Sequence, residues 1–375
     1  MIHGKTKNES TVTDFLKQVP GFDDPTQVKW SRSLRNHLAK SINIELNENS
    51  LTSSLYRPFC VQNGYFDRHL NHERGQLPSM FPTPKHDNLG FVVMAPRDAA
   101  DFAVLATTLM PDLSFFTYTG QFFPRWTWEP VTAAEGELEL GSSSADWDGT
   151  PGTAGEIIDG YRRVDNISDE IHGIYRQALG DDVTKDDIFY FVYGQLHDPD
   201  YREAYAADLK KMLPHIETPS SRERFDQLDA AGRELMDLHV NYERVEPYPL
   251  EVVVKHTADP DDRETWRVTK LKWKRARNPE TKNLEDDRTE LIYNPKVTIK
   301  GIPLEADEYM LGSRSALAWI IDRYQVKRDK ASGIVNDPND WCDEVGNPRY
   351  IVDLIGKVTR VAVETVRIVE GLRLK

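Results

Sequence analysis

Two cysteines in 375 residues, Cys60 and Cys342, are too few for a disulfide framework, and their separation matches neither a zinc nor a redox spacing. Such thiol poverty suits a reducing compartment, so the cytoplasm is the expected location. No run approaches the roughly 18 apolar residues of a membrane helix, and Met1 to Pro20 lacks the apolar core of an export signal. No membrane partner is expected. A Gly-x-x-x-x-Gly-Lys-Ser/Thr loop is missing, and with it the usual backbone cradle for a nucleotide phosphate. Missing too is the Asn/Asp-Pro-Pro-Tyr/Phe motif with which an amino-methyltransferase holds a flipped base. Asp198-Pro199-Asp200-Tyr201 lacks the second proline and reads as a helix start. Pro199-Asp200 with Asp208-Leu209-Lys210 imitates a metal-nuclease signature, but those carboxylates fall on helix rather than on a strand pair. His172, His197, His215, His239 and His256 share no metal spacing. No catalytic residue, metal or cofactor is therefore expected in this chain.

What is abundant is negative charge: 61 acidic against 47 basic residues, a net charge of −14. Indiscriminate nucleic-acid binding is excluded, because phosphate contact needs positive potential to release counterions. Any such contact must be local. The clearest basic strip runs from Arg263 to Arg277, where Arg263, Arg267, Lys270, Lys272, Lys274, Arg275 and Arg277 face a single acid, Glu264. Acids concentrate elsewhere, in Asp181-Asp182, Asp186-Asp187 and Glu285-Asp286-Asp287.

Periodicity predicts an α+β chain in three segments. Residues 1–164 read as strand and loop, with apolar runs at Phe91 to Met94 and Leu113 to Phe116, and a small-residue loop from Ala133 to Gly155 at its end. Residues 165–245 turn helical, with Ile167, Ile171, Ile174 and Ala178 expected on one inward face, then Tyr201, Tyr205, Leu209 and Met212, then Phe225, Leu228, Ala231, Leu235 and Leu238. Residues 246–375 return to strands at Leu250 to Val254, Trp266 to Lys274, Leu291 to Tyr293 and Val297 to Ile299. The second and third of these are expected to be joined by a long exposed loop from Arg277 to Thr289. Helices from about Asp307 to Val326 and from Pro348 to Glu370 close the chain, with Gly371 suited to the last cap.

Three groups of residues carry candidate binding chemistry. In a strand from Trp266 to Lys274, Leu271 and Trp273 face one way while Lys270, Lys272 and Lys274 face the other, toward phosphate. The same lysines equally suit a solvated edge strand guarded against aggregation. Base contacts fit Arg275, Arg277 and Asn278 at the strand end, because arginine matches guanine and asparagine matches adenine in the major groove. The loops around Arg125 and Arg328 are the next choice. Arg314, at a helix start after Ser313, suits a phosphate, though a serine there is equally a plain cap. Arg323, Lys327, Arg328 and Lys330 form a second basic group beside the polar stretch Asn336 to Asp340, which reads as a side-chain-built turn and not a calcium loop. Around the turn Leu55 to Leu70, Tyr56, Arg57, Phe59, Tyr65, Phe66 and Arg68 suit either stacking on a displaced base or a core seam against an upstream domain, with the arginines paired to carboxylates such as Asp67.

The box Tyr56-Arg57-Pro58-Phe59 with Tyr65-Phe66-Asp67-Arg68 resembles the segment that follows the methyltransferase domain in type ISP restriction-modification enzymes. Further matches run in order through Gln121-Phe122-Phe123-Pro124, Phe191 to His197, Asp200 to Tyr205, Leu238 to Glu243, Ser313 to Leu317, Asp322 to Val326 and Asn336 to Trp341. Each is short, and order and coverage make the likeness specific. The resemblance implies the C-terminal target-recognition region: a non-catalytic, β-rich domain with helical parts that reads double-stranded DNA. It also implies an upstream methyltransferase, helicase and nuclease, in the same chain or another, using S-adenosylmethionine, ATP and Mg. Two alternatives stay open: a divergent methyltransferase or nuclease in the first 165 residues, and a scaffold for protein partners within such a system.

Overall fold

Alternating and wholly apolar runs in the first third form three small sheets, seen in a computed structural model of the chain that describes residues 14, 16–18, 21, 24, 30–72, 74–96, 101–131 and 154–373. β1 (Leu51–Arg57) and β2 (Cys60–Tyr65) make an antiparallel hairpin in register from Leu51↔Tyr65 to Arg57↔Cys60. β3 (Gly90–Met94) lies between β4 (Val104–Thr107) and β5 (Gly120–Pro124), antiparallel to both. β6 (Trp126–Pro130) pairs with β7 (Tyr161–Asp165). Every β3 residue is buried, because its two faces serve different cores: Val92 and Met94 enter one, Phe91 and Val93 the other. That explains a strand without alternation. Leu113 to Phe116 is no strand; Phe115 and Phe116 are buried from a turn. Of the loop expected from Ala133 to Gly155, residues 133–153 lie outside the described residues.

The helical segment begins with α1 (Asp169–Leu179), α2 (Lys185–Gln195) and α3 (Arg222–Val240), whose starts the local sequence explains. Ser168 and Ser221 accept from the third amides of α1 and α3, and Thr184 with Asp187 forms a reciprocal capping box on α2. Asp198 caps the short helix Pro199–Ala204, as expected of a helix start. The inward face predicted for α1 is wrong by about a quarter turn. Ile171, Ile174 and Ala178 are exposed and Tyr175 and Leu179 are buried, since the aromatic ring meets Phe191 and Phe225 on the neighbouring helices. In the short helices Tyr201 and Leu209 are buried, whereas Tyr205 and Met212 are exposed. α2 and α3 touch backbone to backbone at Gly194 and Gly232, where a β-carbon would lie 2.0 Å from the Leu228 carbonyl oxygen or 1.9 Å from that of Tyr190.

The last third is a four-stranded antiparallel sheet in the order β8-β11-β10-β9, made of β8 (Glu251–Val254), β9 (Lys272–Arg277), β10 (Leu284–Ile292) and β11 (Val297–Lys300). The long loop expected from Arg277 to Thr289 is thus largely strand: only 278–283 turn, residues 284–287 pair with β9, and the register shift leaves 288 and 289 within β10 but without a β9 partner. A charged run concealed the strand because both its faces are solvated. α4 (Ala316–Arg323) is shorter than predicted, the residues before it forming a 3-10 turn and a two-residue hairpin. α5 (Tyr350–Glu370) buries Ile351, Leu354, Ile355, Val358 and Val361 as its period predicts. Gly371 caps it at φ −66, in the right-handed region, so no glycine freedom is used there.

The largest apolar cluster draws on Leu55, Phe59, Val92, Trp266, Trp273, Tyr293, Trp319 and α5, and so ties the first segment to the last. At its edge the Tyr324 hydroxyl donates to the Phe59 carbonyl at 3.1 Å across 265 residues. A second junction is polar. The Tyr193 hydroxyl accepts from the Ala106 amide and lies 2.6 Å from His239 Nδ1, while Nε2 of that ring meets the Thr365 hydroxyl at 2.9 Å. Burial, with Arg202 nearby, lowers the His239 pKa to about 3, and burial depresses His197 as well. The unfolded chain therefore binds protons that the folded one refuses, so this contribution is complete above pH about 6.5 and is lost as pH falls toward 3. We expect the urea midpoint to drop through that window and His239→Gln to shrink the drop; parallel curves for variant and parent would refute the assignment.

Candidate nucleic-acid interface

β9 is the edge strand of its sheet, and its geometry divides the basic strip. Leu271 and Trp273 are buried, as predicted, and Lys270 and Lys272 are exposed. The strand starts at Lys272 and not Trp266, because residues 263–265 form a 3-10 turn whose Trp266 donates its indole N–H to the Pro260 carbonyl. A bulge after Trp273 shifts the register, so that Lys274, Arg275 and Ala276 face Asp287, Asp286 and Glu285. The acids expected to lie elsewhere are cross-strand neighbours. Lys274 pairs with Glu290 at 2.9 Å, and Arg275 lies 3.7 Å from Asp286 and donates to the Leu284 carbonyl. Asn278 shapes the turn: its side-chain oxygen accepts from Glu280 and Thr281, and its amide donates to Glu285 at 2.7 Å. Lys270, Lys272 and Arg277 remain exposed with no ion pair among the described residues. Arg263 and Arg267 are tied to Asp343 and Asp337.

The second basic group is spent in part. Asp322 gathers Arg314 at 3.8 Å, Lys327 at 2.9 Å and Arg323; burial pushes its carboxyl up, but Lys327 and Arg323 outweigh that and hold it below the usual range. Arg314 also lies over the Trp319 ring and donates to Thr117, while Ser315 is the helix cap. Arg328 and Lys330 stay exposed, and Asp337 builds the following turn by accepting from the Asn339 amide.

In the opening turn, Phe59 is fully buried at φ 58 and meets Tyr242 edge to face at 5.1 Å, so it neither stacks on a base nor forms a seam with another domain. Arg57 lies 3.9 Å from the Tyr56 ring centroid and pairs with Asp112 at 2.6 Å, not with Asp67. Tyr65 accepts from the Asn47 amide. Phe66 is buried, and Arg68 stays exposed beside His69. Arg125 cannot read bases, since it is 3 % exposed and pairs with Asp165 at 2.5 Å and Asp186 at 2.7 Å. Reading by segments missed the cleft of about 910 Å³ between the opening hairpin and the β6–β7 pair. Its lining runs from Asn47 to Tyr161, too far apart for any local motif to signal.

Among the described residues no group of three His, Cys, Asp or Glu could hold a metal, and no helix is long and apolar enough to cross a membrane. What is displayed is cationic, amide and aromatic chemistry on an edge hairpin and loops of a mixed α+β scaffold, the surface of a binding module. Residues 5–354 match the type ISP C-terminal specificity domain, and the chain belongs to that family. A nuclease-deletion mutant of the type ISP restriction-modification enzyme LlaGI, in complex with a DNA substrate mimic, is 33 % identical over 99 % of this chain with a TM-score of 0.74. The ATP-dependent type ISP enzyme LlaBIII bound to DNA is 26 % identical over 98 % of the chain at 0.75, and a DrdV–DNA complex 28 % identical over 98 % at 0.74. The chain spans 28 %, 21 % and 32 % of those three chains. No curated protein matches it.

Proposed function

We propose that this chain selects the DNA target of a type ISP-like restriction-modification enzyme and is itself non-catalytic. The observation that carries the reading is the family match over residues 5–354, supported by likeness along 99 % of the chain to part of an enzyme bound to a DNA substrate mimic. The parent's ATP-driven translocation, cleavage and adenine methylation, with their S-adenosylmethionine, ATP and Mg, would reside in methyltransferase and helicase domains upstream in the same or another chain. Cytoplasmic work suits the two buried, free thiols. Phosphate contacts would position the domain and a few side chains would specify bases, with Lys270, Lys272 and Arg277 the cations of the basic strip that form no ion pair among the described residues.

Selection from a random duplex library tests this. The chain, alone and then with its methyltransferase supplied, is expected to enrich one asymmetric motif, each mismatch costing about 1–3 kcal/mol. Uniform recovery in both arms would refute the reading.

A further inference from the structure

The cleft beside the opening hairpin presents cations, Arg68, Arg74 and Lys85, that form no ion pair among the described residues. On β9, by comparison, Lys274 and Arg275 lie against Glu290 and Asp286, and only Lys272 and Arg277 of that strand form no ion pair among the described residues. Three elements bring the cations together: the turn after β2, the start of the short helix Leu77–Met80, and the loop before β3. The lining also includes the aromatic side chains of Phe66, Trp128 and Tyr161. Arg74 sits 5.7 Å from the Phe66 ring centroid, and the Trp128 ring packs edge to face on His86 at 4.6 Å. Two carboxylates share the lining. Asp67 is held by the amides of His69 and Leu70, at 2.7 and 3.1 Å, and Asp159 stands exposed in the lining with φ 45.

Cations with no ion pair among the described residues, in a space of about 910 Å³ lined also by the half-buried Tyr161 ring, match a phosphodiester strand: the cations meet phosphate oxygens and the Tyr161 ring accepts sugar or base, Phe66 and Trp128 being buried. Resting on the reading above, we propose that this cleft holds the phosphate backbone of one DNA strand, and that Arg68, Arg74 and Lys85 bind it more than the basic strip does. The strand could come from the paired target or from an unpaired strand beside it, and both share this chemistry.

The test is fluorescence anisotropy of the whole chain with a labelled duplex and a labelled single strand, between 50 and 200 mM salt. Combining Arg68→Gln, Arg74→Gln and Lys85→Gln should flatten the log-affinity against log-salt slope by about 2 to 3, at about 0.9 per duplex phosphate or 0.7 per single-strand phosphate. A comparison variant with Lys270→Gln and Lys272→Gln should flatten it less. Flattening on the duplex alone assigns the site to the paired strand, and on the single strand alone to an unpaired one. Asp159→Asn, which keeps a residue tolerant of positive φ, should tighten binding several-fold, an effect that misfolding would not produce. Full slopes in the triple variant, or unchanged affinity in Asp159→Asn, overturn the cleft and leave the targeting role standing. A chain that binds neither probe at 50 mM salt overturns both.

Discussion

Gly232→Ala should destabilise the protein by about 3 kcal/mol or more, although alanine is worth roughly 1 kcal/mol over glycine inside an exposed helix. The added β-carbon would sit 1.9 Å from the Tyr190 carbonyl oxygen and 3.0 Å from the Gly194 amide nitrogen, inside the contact between α2 and α3. Neither neighbour is a side-chain end that can swing away. The helices would have to separate, opening the apolar faces around Phe225, Leu228 and Leu235 that they cover. The measure is the thermal midpoint, expected to fall by several degrees. A rise, as propensity alone would give, would show that the helices have room.

Arg125→Ala should cost about 3–5 kcal/mol, the range for breaking a buried ion pair from one side. The guanidinium bridges Asp165 at the end of β7 and Asp186 at the start of α2, and lies 3.9 Å from the Trp126 ring centroid. Both carboxylates keep some exposure, 20 % and 33 %, and Asp165 retains Lys185 at 3.4 Å, so the lower end of that range is expected. Arg125→Lys keeps the charge but cannot reach two carboxylates with a planar fork, and should fall between parent and alanine variant. Urea midpoints for the three proteins provide the check. An alanine variant as stable as the parent would mean that the arginine joins nothing the packing does not already hold.

Elements whose apolar residues face one core were legible from sequence, and elements shaped by partners far along the chain were not. α3 and α5 show their buried faces as helical stripes, and Leu271 and Trp273 announced the inward side of β9. The stripe Ile171, Ile174 and Ala178 misled because Tyr175, on an adjacent strip of the same helix, found aromatic partners on α2 and α3, and Leu179 joined the same apolar cluster. Lys274 and Arg275 looked like free cations because a bulge in β10, invisible locally, decides which acids they face. The family likeness was legible because its short boxes keep their order over the whole chain. The cleft was not, since Arg68, Arg74, Lys85 and Asp159 are joined by topology alone.

The bond from Tyr324 to the Phe59 carbonyl sets a clock on biosynthesis. At about 5–20 residues per second, a ribosome takes on the order of 13–50 seconds to travel the 265 residues between them. Until then the Pro58–Phe59 turn lacks the hydroxyl that ties its carbonyl, and the core that buries Phe59 and Cys60 is incomplete. Contacts this distant in sequence slow folding, since the loop must close before its reward arrives. A polypeptide cut short before α4 therefore lacks the Tyr324 tie and leaves the core around Phe59 unfinished, with apolar surface exposed of the kind that makes a folding chain aggregation-prone.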